Sequence, residues 1–346
     1  MGQHTKGDLE QMQSLPLSAK ISMTKRRIYE WYEYWQGDVY LSFSGGKDST
    51  VLKHIIDGMN LGIPSVFDNT GLEYPEIRKF AMSQPNVITV RPKMMFTDVI
   101  KKYGYPVISK EVSLAIYEAR RSSDRDGWAW RKVKGELINP KTGEKSQYNC
   151  DRYAWLVDAP FNITDHCCHV MKKAPLDEYA RATKRKTIIA TMAVESHLRK
   201  TRWMKVGCNA FEGKKPKSAP ISFWTEQDIL HYIKEYDVPY CSAIYGDIRV
   251  APKKEDDPDQ ITFADYLQQY DGEKLCTTGA NRTGCMFCMF GCHLEKEPNR
   301  FQRMKITHPR QYEYCIGGGE FVDGKWQPNK EGLGLGYVLD YIGVKY

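Results

Sequence analysis

No apolar run in this 346-residue chain approaches the roughly 20 residues that a membrane-crossing helix needs, so nothing in it reads as a transmembrane carrier or anchor. The opening residues, MGQHTKGDLEQMQ, lack the apolar core of a secretory signal. Gly2 stands where an acylated glycine would, but His4-Thr5-Lys6 and the polar stretch after it match a myristoylation signal poorly. The expected location is the cytoplasm, with no membrane partner. Internal repeats and low-complexity tracts are also missing, which excludes solenoid and disordered classes. Charge of one sign is not in large excess: 50 Lys and Arg face 43 Asp and Glu, for a net +7. That balance suits anionic ligands without demanding a nucleic acid.

What the chain does have is a strand running into a glycine turn. Val39 to Phe43 form an apolar run of the kind a buried parallel strand requires, and Ser49 to Ile56 carry apolar residues at helical spacing. Between them lies Ser44-Gly45-Gly46-Lys47-Asp48-Ser49. The glycines let backbone approach a ligand, the helix start supplies N–H groups and a positive dipole end, and Lys47 adds a full charge. Such a turn binds phosphate or pyrophosphate. Its spacing is neither the Gly-x-x-x-x-Gly-Lys of a Walker loop nor the Gly-x-Gly-x-x-Gly of a dinucleotide fold.

The hexapeptide resembles the pyrophosphate loop of the PP-loop ATP pyrophosphatases. Asp68-Asn69-Thr70-Gly71-Leu72-Glu73-Tyr74-Pro75-Glu76, after a second apolar strand at Ser65 to Phe67, is similar to a segment of the phosphoadenylyl sulfate (PAPS) reductase branch. Further similar segments are Cys167-Cys168 with Lys173 and Pro175-Leu176, Glu195-Ser196 with Arg199, Pro220 to Tyr236 around Trp224, and Arg282-Thr283-Gly284-Cys285 with Cys288. The resemblance spans about residues 38 to 292 in family order.

The resemblance implies an α/β fold: a doubly wound, mostly parallel sheet of the adenine nucleotide alpha hydrolase type, with helices on both faces, insertions and a cysteine-rich C-terminal part. The expected division is an N-terminal helical extension over 1–37, a nucleotide-binding domain over 38–245 with an insertion at about 111–161, and an acidic insertion, cysteine cluster and tail over 246–346. It also implies ATP with Mg2+ as ligands, held by Ser44, Gly45, Gly46, Lys47, Asp48, Ser49, Asp68, Thr70, Gly71, Glu195 and Arg199. Lys47 and Asp48 would act on the phosphates. Ala190 and Met192 stand where the family's loop before Glu-Ser usually has Gly and Arg, which weakens any transfer of sulfonucleotide specificity.

Ten cysteines in such a chain argue for metal or catalysis rather than a disulfide framework. Cys285-x2-Cys288-x3-Cys292 is a tight run of thiols flanked by Gly284 and containing Gly291. The family's iron-sulfur members pair a tandem Cys-Cys with a later Cys-x-x-Cys around one [4Fe-4S] cluster, which carries over to Cys167, Cys168, Cys285 and Cys288. Cys292 is a departure, as an alternative ligand to Cys167 or a working thiol beside the cluster. Tetrahedral zinc is the rival metal, although adjacent cysteines suit it poorly. Cys150, Cys208 and Cys241 stand singly and read as core fillers, and Cys276 as structural.

Two departures bear on the reaction. Assimilatory reductases of this fold generally carry a degraded loop, whereas SGGKDS is intact. They end in Glu-Cys-Gly-[Ile/Leu]-His, where this chain has Glu313-Tyr314-Cys315-Ile316-Gly317 and no histidine after it, leaving Cys315 a loose match for their attacking thiol. The expected activity is therefore adenylation of an acceptor with release of pyrophosphate, supporting sulfur transfer. The alternatives are a sulfonucleotide reductase or sulfurtransferase and a non-catalytic nucleotide sensor. Relatives of this kind thiolate tRNA bases or DNA phosphates, so the implied partners are a nucleic-acid acceptor and a sulfur-donor protein such as a cysteine desulfurase. The insertion mixes Arg120, Arg121, Arg125, Arg131, Lys132 and Lys134 with Trp128, Trp130, Tyr148, Tyr153 and Trp155, a pattern that either stacks bases or packs its aromatics on the core. The apolar tail Gly332 to Tyr346 packs on its own core or on a second copy in a homodimer.

Overall fold

The structure, a computed structural model, describes residues 4–251 and 274–346, so Gly2 and most of the acidic insertion lie outside the described residues. Contacts divide the chain into two interleaved units. The first comprises Met1–Asn69, Glu73–Arg91 and Leu176–Thr283, and the second Thr70–Leu72, Pro92–Pro175 and Gly284–Tyr346. This grouping differs from the linear division expected at residues 37 and 245, because segments far apart in sequence pack together in each unit.

The first unit is built on a six-stranded sheet. Its strands are β1 (Val39–Phe43), β2 (Ser65–Asp68), β3 (Val87–Val90), β5 (Lys186–Ile189), β6 (Asn209–Ala210) and β7 (Lys217–Ser218); β4 (Val107–Ile108) lies in the second unit. The strand order is β3-β2-β1-β5-β7-β6, parallel throughout except for β6 against β7. Chain order reverses direction between β1 and β5, and at such a switch point the loops after two neighbouring strands diverge to leave a crevice at their carboxyl ends. The glycine turn lies at the carboxyl end of β1. Val39, Leu41 and Phe43 are buried, as are Val51, Leu52, Ile55 and Ile56 on the helix Lys47–Asp57, so strand and helix close one core around the turn.

The helix Leu17–Tyr34 covers this core with Ile21, Ile28 and Trp31. It also carries Lys20, fully buried, whose Nζ donates to both carboxylate oxygens of Asp228 at 2.7 and 2.9 Å. Asp228 in turn accepts from the Thr225 N–H at 2.6 Å and the Thr225 hydroxyl at 2.9 Å, completing the N-terminal capping box of the helix Glu226–Glu235. The carboxylate thus has donors on both oxygens, which is what makes its burial tolerable. The apolar run Thr187 to Ala193 is strand only as far as Ile189, and the chain then turns through a short 3-10 segment at Ala193–Glu195.

In the second unit, β4 pairs in parallel with Met289–Phe290, and the Gly291 N–H donates to the Ile108 carbonyl at 2.8 Å. The insertion folds on Arg120, whose guanidinium donates to the carbonyls of Leu156, Val157, Ala159 and Phe161. Among the described residues, no helix is long and apolar enough to cross a membrane.

Asp228→Ala should destabilise the protein by about 3–5 kcal/mol, because it strands a buried ammonium, whereas Lys20→Met with Asp228→Leu should recover most of the loss. Urea unfolding of the single and double variants measures both.

Candidate active site

The turn that follows β1 is shaped by what it must avoid. Gly45 has φ +73°, and a Cβ there would meet Ala81 Cβ at 3.0 Å and the Ile77 carbonyl oxygen at 3.1 Å on the helix Pro75–Ser83. Glycine is required on both counts. Gly46 then caps the helix Lys47–Asp57 from extended backbone. Ser44 and Ser49 lock the turn: their hydroxyls lie 3.0 Å apart, the Gly46 N–H donates to Ser44 Oγ at 3.3 Å, and the Ser49 hydroxyl donates to the Gly46 carbonyl at 2.9 Å.

Lys47 is buried, and its partners come from distant parts of the first unit. Nζ donates to the Asn281 carbonyl at 2.6 Å and pairs with the Glu226 carboxylate at 3.0 Å. Its backbone N–H donates to the Tyr245 hydroxyl at 3.4 Å, which itself lies 2.7 Å from the Thr283 hydroxyl. Burial pushes the Tyr245 phenol up to about 12, so it stays neutral and can both accept and donate.

Asp48 is the group under strain. Burial raises its carboxyl above the usual carboxylate range, opposed by the positive charges of Lys47, Arg282 and Arg199 and reinforced by Glu226. Its buried Oδ1 accepts no hydrogen bond among the described residues and lies 4.0 Å from Lys47 Nζ. Glu195 collects two of the nearby cations: its carboxylate pairs with Arg199, lies 3.6 Å from Arg282, and accepts the Met192 N–H at 2.7 Å. The expected residues Lys47, Asp48, Glu195 and Arg199 therefore share one charged cluster. Arg282, Glu226 and Tyr245 join it without having been assigned from sequence. Arg282 had a signal, in the Arg-Thr-Gly-Cys segment, but only its cysteine was assigned a role. Asp68 ends β2, whereas Thr70 and Gly71 group with the second unit.

The cysteines converge within the second unit. Cys167, Cys168, Cys285 and Cys288 line one small cavity of about 20 Å3, with Leu72, Phe96, Pro106, Met171 and Lys172 as the remaining wall. The tandem pair enters it at the start of a π-helical turn, His169–Lys173, a wide turn that lets neighbouring side chains face one space. The Cys167 thiol donates to the Cys168 sulfur, which with Lys110 and Lys172 brings Cys168 down to about 6, while Cys167 is held protonated. The Cys288 N–H donates to the Cys285 carbonyl at 3.2 Å, curling the loop, and Arg300 donates to the Cys288 carbonyl at 2.8 Å. Among the described residues, no group of three or more His, Cys, Asp or Glu stands ready-made as a metal site. The four thiols around one mostly apolar space, with cations beside them, fit a soft metal or an iron-sulfur cluster in donor chemistry.

Cys292 does not line that cavity. Gly291, with φ +76°, turns the chain so that Cys292 is buried, and burial pushes its thiol up to about 11 despite Arg300 nearby. Cys315 lies fully buried on the helix Pro309–Ile316, and burial raises its thiol well above the ordinary range. Neither thiol, as placed, is a ready thiolate. The insertion uses much of its own charge: Arg125 lies 4.0 Å over Trp130 and Lys132 4.9 Å over Trp128, with Lys132 also paired to Glu111 at 2.7 Å. Trp130 is buried, whereas Trp128, Tyr148 and Trp155 remain exposed.

Residues 131–288 match the sequence model of the phosphoadenosine phosphosulfate reductase domain, a stretch just under half of the chain that includes the four cavity cysteines and omits the glycine turn. No curated protein sequence matches. A solved structure of phosphoadenylyl-sulfate (PAPS) reductase from Candida auris, in complex with phosphate, is similar at 15% identity and a TM-score of 0.36, covering 64% of this chain and 82% of that one.

The raised Asp48 carboxyl has a consequence for stability. A folded-state pKa above the unfolded value means the contribution is present at low pH and is lost as pH rises through the folded value. Asp48→Asn should therefore raise the thermal midpoint of the ligand-free protein at neutral pH and flatten its decline between mildly acidic and neutral pH. Thermal scans across that range check it.

Proposed function

We propose that the chain is a PP-loop enzyme of the PAPS reductase-like branch, which binds ATP at the glycine turn, adenylates an acceptor with release of pyrophosphate, and supports sulfur transfer through a cysteine-held iron-sulfur cluster; the match of residues 131–288 to the phosphoadenosine phosphosulfate reductase domain supports the branch. The observation that carries the reading is the cluster of Lys47, Arg199 and Arg282 about the buried Asp48 carboxylate at a helix start, with Lys47 Nζ 4.0 Å from Asp48 Oδ1. The family match alone does not reach this turn.

In this reading the N–H groups at the start of Lys47–Asp57 and the Lys47 ammonium hold the β and γ phosphates. Asp48 supplies an oxygen toward Mg2+, whose charge removes the cost of keeping that carboxylate ionised and buried. Arg199 and Arg282 offset charge that develops as the bond between the α and β phosphates breaks, when an acceptor oxygen attacks the α phosphorus and pyrophosphate leaves with the electron pair. Glu195 holds both arginines in place. Cys167, Cys168, Cys285 and Cys288 would hold the cluster, which supplies a site for binding and passing sulfur when present. Cys292 is a buried, protonated thiol near Cys288 and, as it lies, takes no part in the sulfur step. Zinc at the same four cysteines would make the centre structural.

The reductase reading is favoured by the domain match itself, and it requires a thiol to attack sulfur. The full burial of Cys315 counts against that residue as the attacking group.

Lys47→Ala and Asp48→Ala should each lower AMP and pyrophosphate release at least about a hundredfold while leaving the circular dichroism unchanged. Wild-type release from both would remove the turn from the mechanism. Sulfite made from adenylyl sulfate, and lost in Cys315→Ser, would replace the ATP reading with the reductase. Anaerobically purified protein should be brown, absorbing at about 400 nm, and serine at Cys168, Cys285 or Cys288 should bleach it. One zinc per colourless chain would leave a structural centre.

A further inference from the structure

The glycine turn is already occupied by the protein's own groups. The N–H of Lys47, at the first position of its helix, points to the Tyr245 hydroxyl, where a phosphate oxygen would be received. The Lys47 ammonium is held by the Asn281 carbonyl and the Glu226 carboxylate. Tyr245 is held in turn by Thr283, and its hydroxyl is the nearest atom, at 3.2 Å, to where a Cβ on Gly46 would stand. Glu226 is half exposed while Lys47 is buried, so the carboxylate can swing into solvent and the ammonium cannot. The carboxylate also adds negative charge at Asp48, opposing its ionisation.

We propose that Glu226, Tyr245 and the segment Asn281–Thr283 form a latch that stands in for phosphate on the glycine turn, and that pyrophosphate-bearing ligands bind by displacing it. This rests on the reading of the turn as a nucleotide site and assigns to Glu226 the setting of its affinity. Every phosphate contact made by Lys47 replaces one made by Glu226, so the apparent affinity is the intrinsic one reduced by the fraction of molecules in which the latch is open. The ligand class that gains most is one whose linked phosphates can meet the Lys47 ammonium and the Lys47 N–H together: a di- or triphosphate with Mg2+, rather than a nucleoside monophosphate. Glu226 and Tyr245 are positioning residues, acting through Lys47.

The test is calorimetric titration of pyrophosphate and of ATP, each with Mg2+, into wild type, Glu226→Gln, Tyr245→Phe and Lys47→Ala. The latch predicts that Glu226→Gln binds pyrophosphate about fivefold or more tightly than wild type, that Tyr245→Phe shifts affinity in the same direction, and that Lys47→Ala abolishes the gain when combined with Glu226→Gln. A supporting, purely structural role for Glu226 would instead weaken binding. Equal or weaker pyrophosphate binding by Glu226→Gln, or a gain that survives Lys47→Ala, overturns the latch. If wild type binds neither ligand and Lys47→Ala changes nothing, it is the nucleotide reading itself that falls.

Discussion

The passage from β1 into the helix Lys47–Asp57 must be made beneath the helix Pro75–Ser83, where a single methyl group at residue 45 would collide with Ala81 and the Ile77 backbone. That close approach dictates the left-handed glycine, and the extended Gly46 after it dictates where the helix can begin. Everything chemical in the first unit follows from this placement. The helix start, the Lys47 ammonium and the Asp48 carboxylate are brought to the carboxyl end of a buried strand, at the point where the sheet changes direction.

Around that point charge is compensated inside the protein. Lys47 faces Glu226 and, at 4.0 Å, Asp48, while Arg199 and Arg282 face Glu195. A site of this kind is not an open basic funnel. Each cation there already has a carboxylate beside it, which any incoming anion would have to displace. The second unit contrasts with this. Its four cavity cysteines have apolar side chains and the cations Lys110, Lys172 and Arg300 about them, with Arg300 paired to Glu295.

Local features of the chain were legible in the sequence. The strands Val39–Phe43 and Ser65–Asp68 and the helix Lys47–Asp57 occur where the apolar runs and helical spacing put them, because those signals act over a few residues. The strand after Arg185 ends sooner than its apolar run suggests, since Met192 and Ala193 are buried as a turn. The strand, glycine turn and helix start were recognisable as such, and the four cysteines were recognisable as a set. Hidden from sequence were the groups that meet Lys47, which lie some 180 to 235 positions further along the chain. No local pattern marks Glu226 as anything but a favourable first-turn acid. The burial of Cys292 was hidden too, because it depends on Gly291 and on pairing with β4 rather than on cysteine spacing.

Lys20 belongs to a segment that reads as a detachable extension, yet its ammonium completes the cap of the helix that presents Glu226. The helix Leu17–Tyr34 is therefore an integral wall of the first unit. Change at position 20 is constrained by position 228, so an exchange of either segment between related chains would succeed only when both travel together.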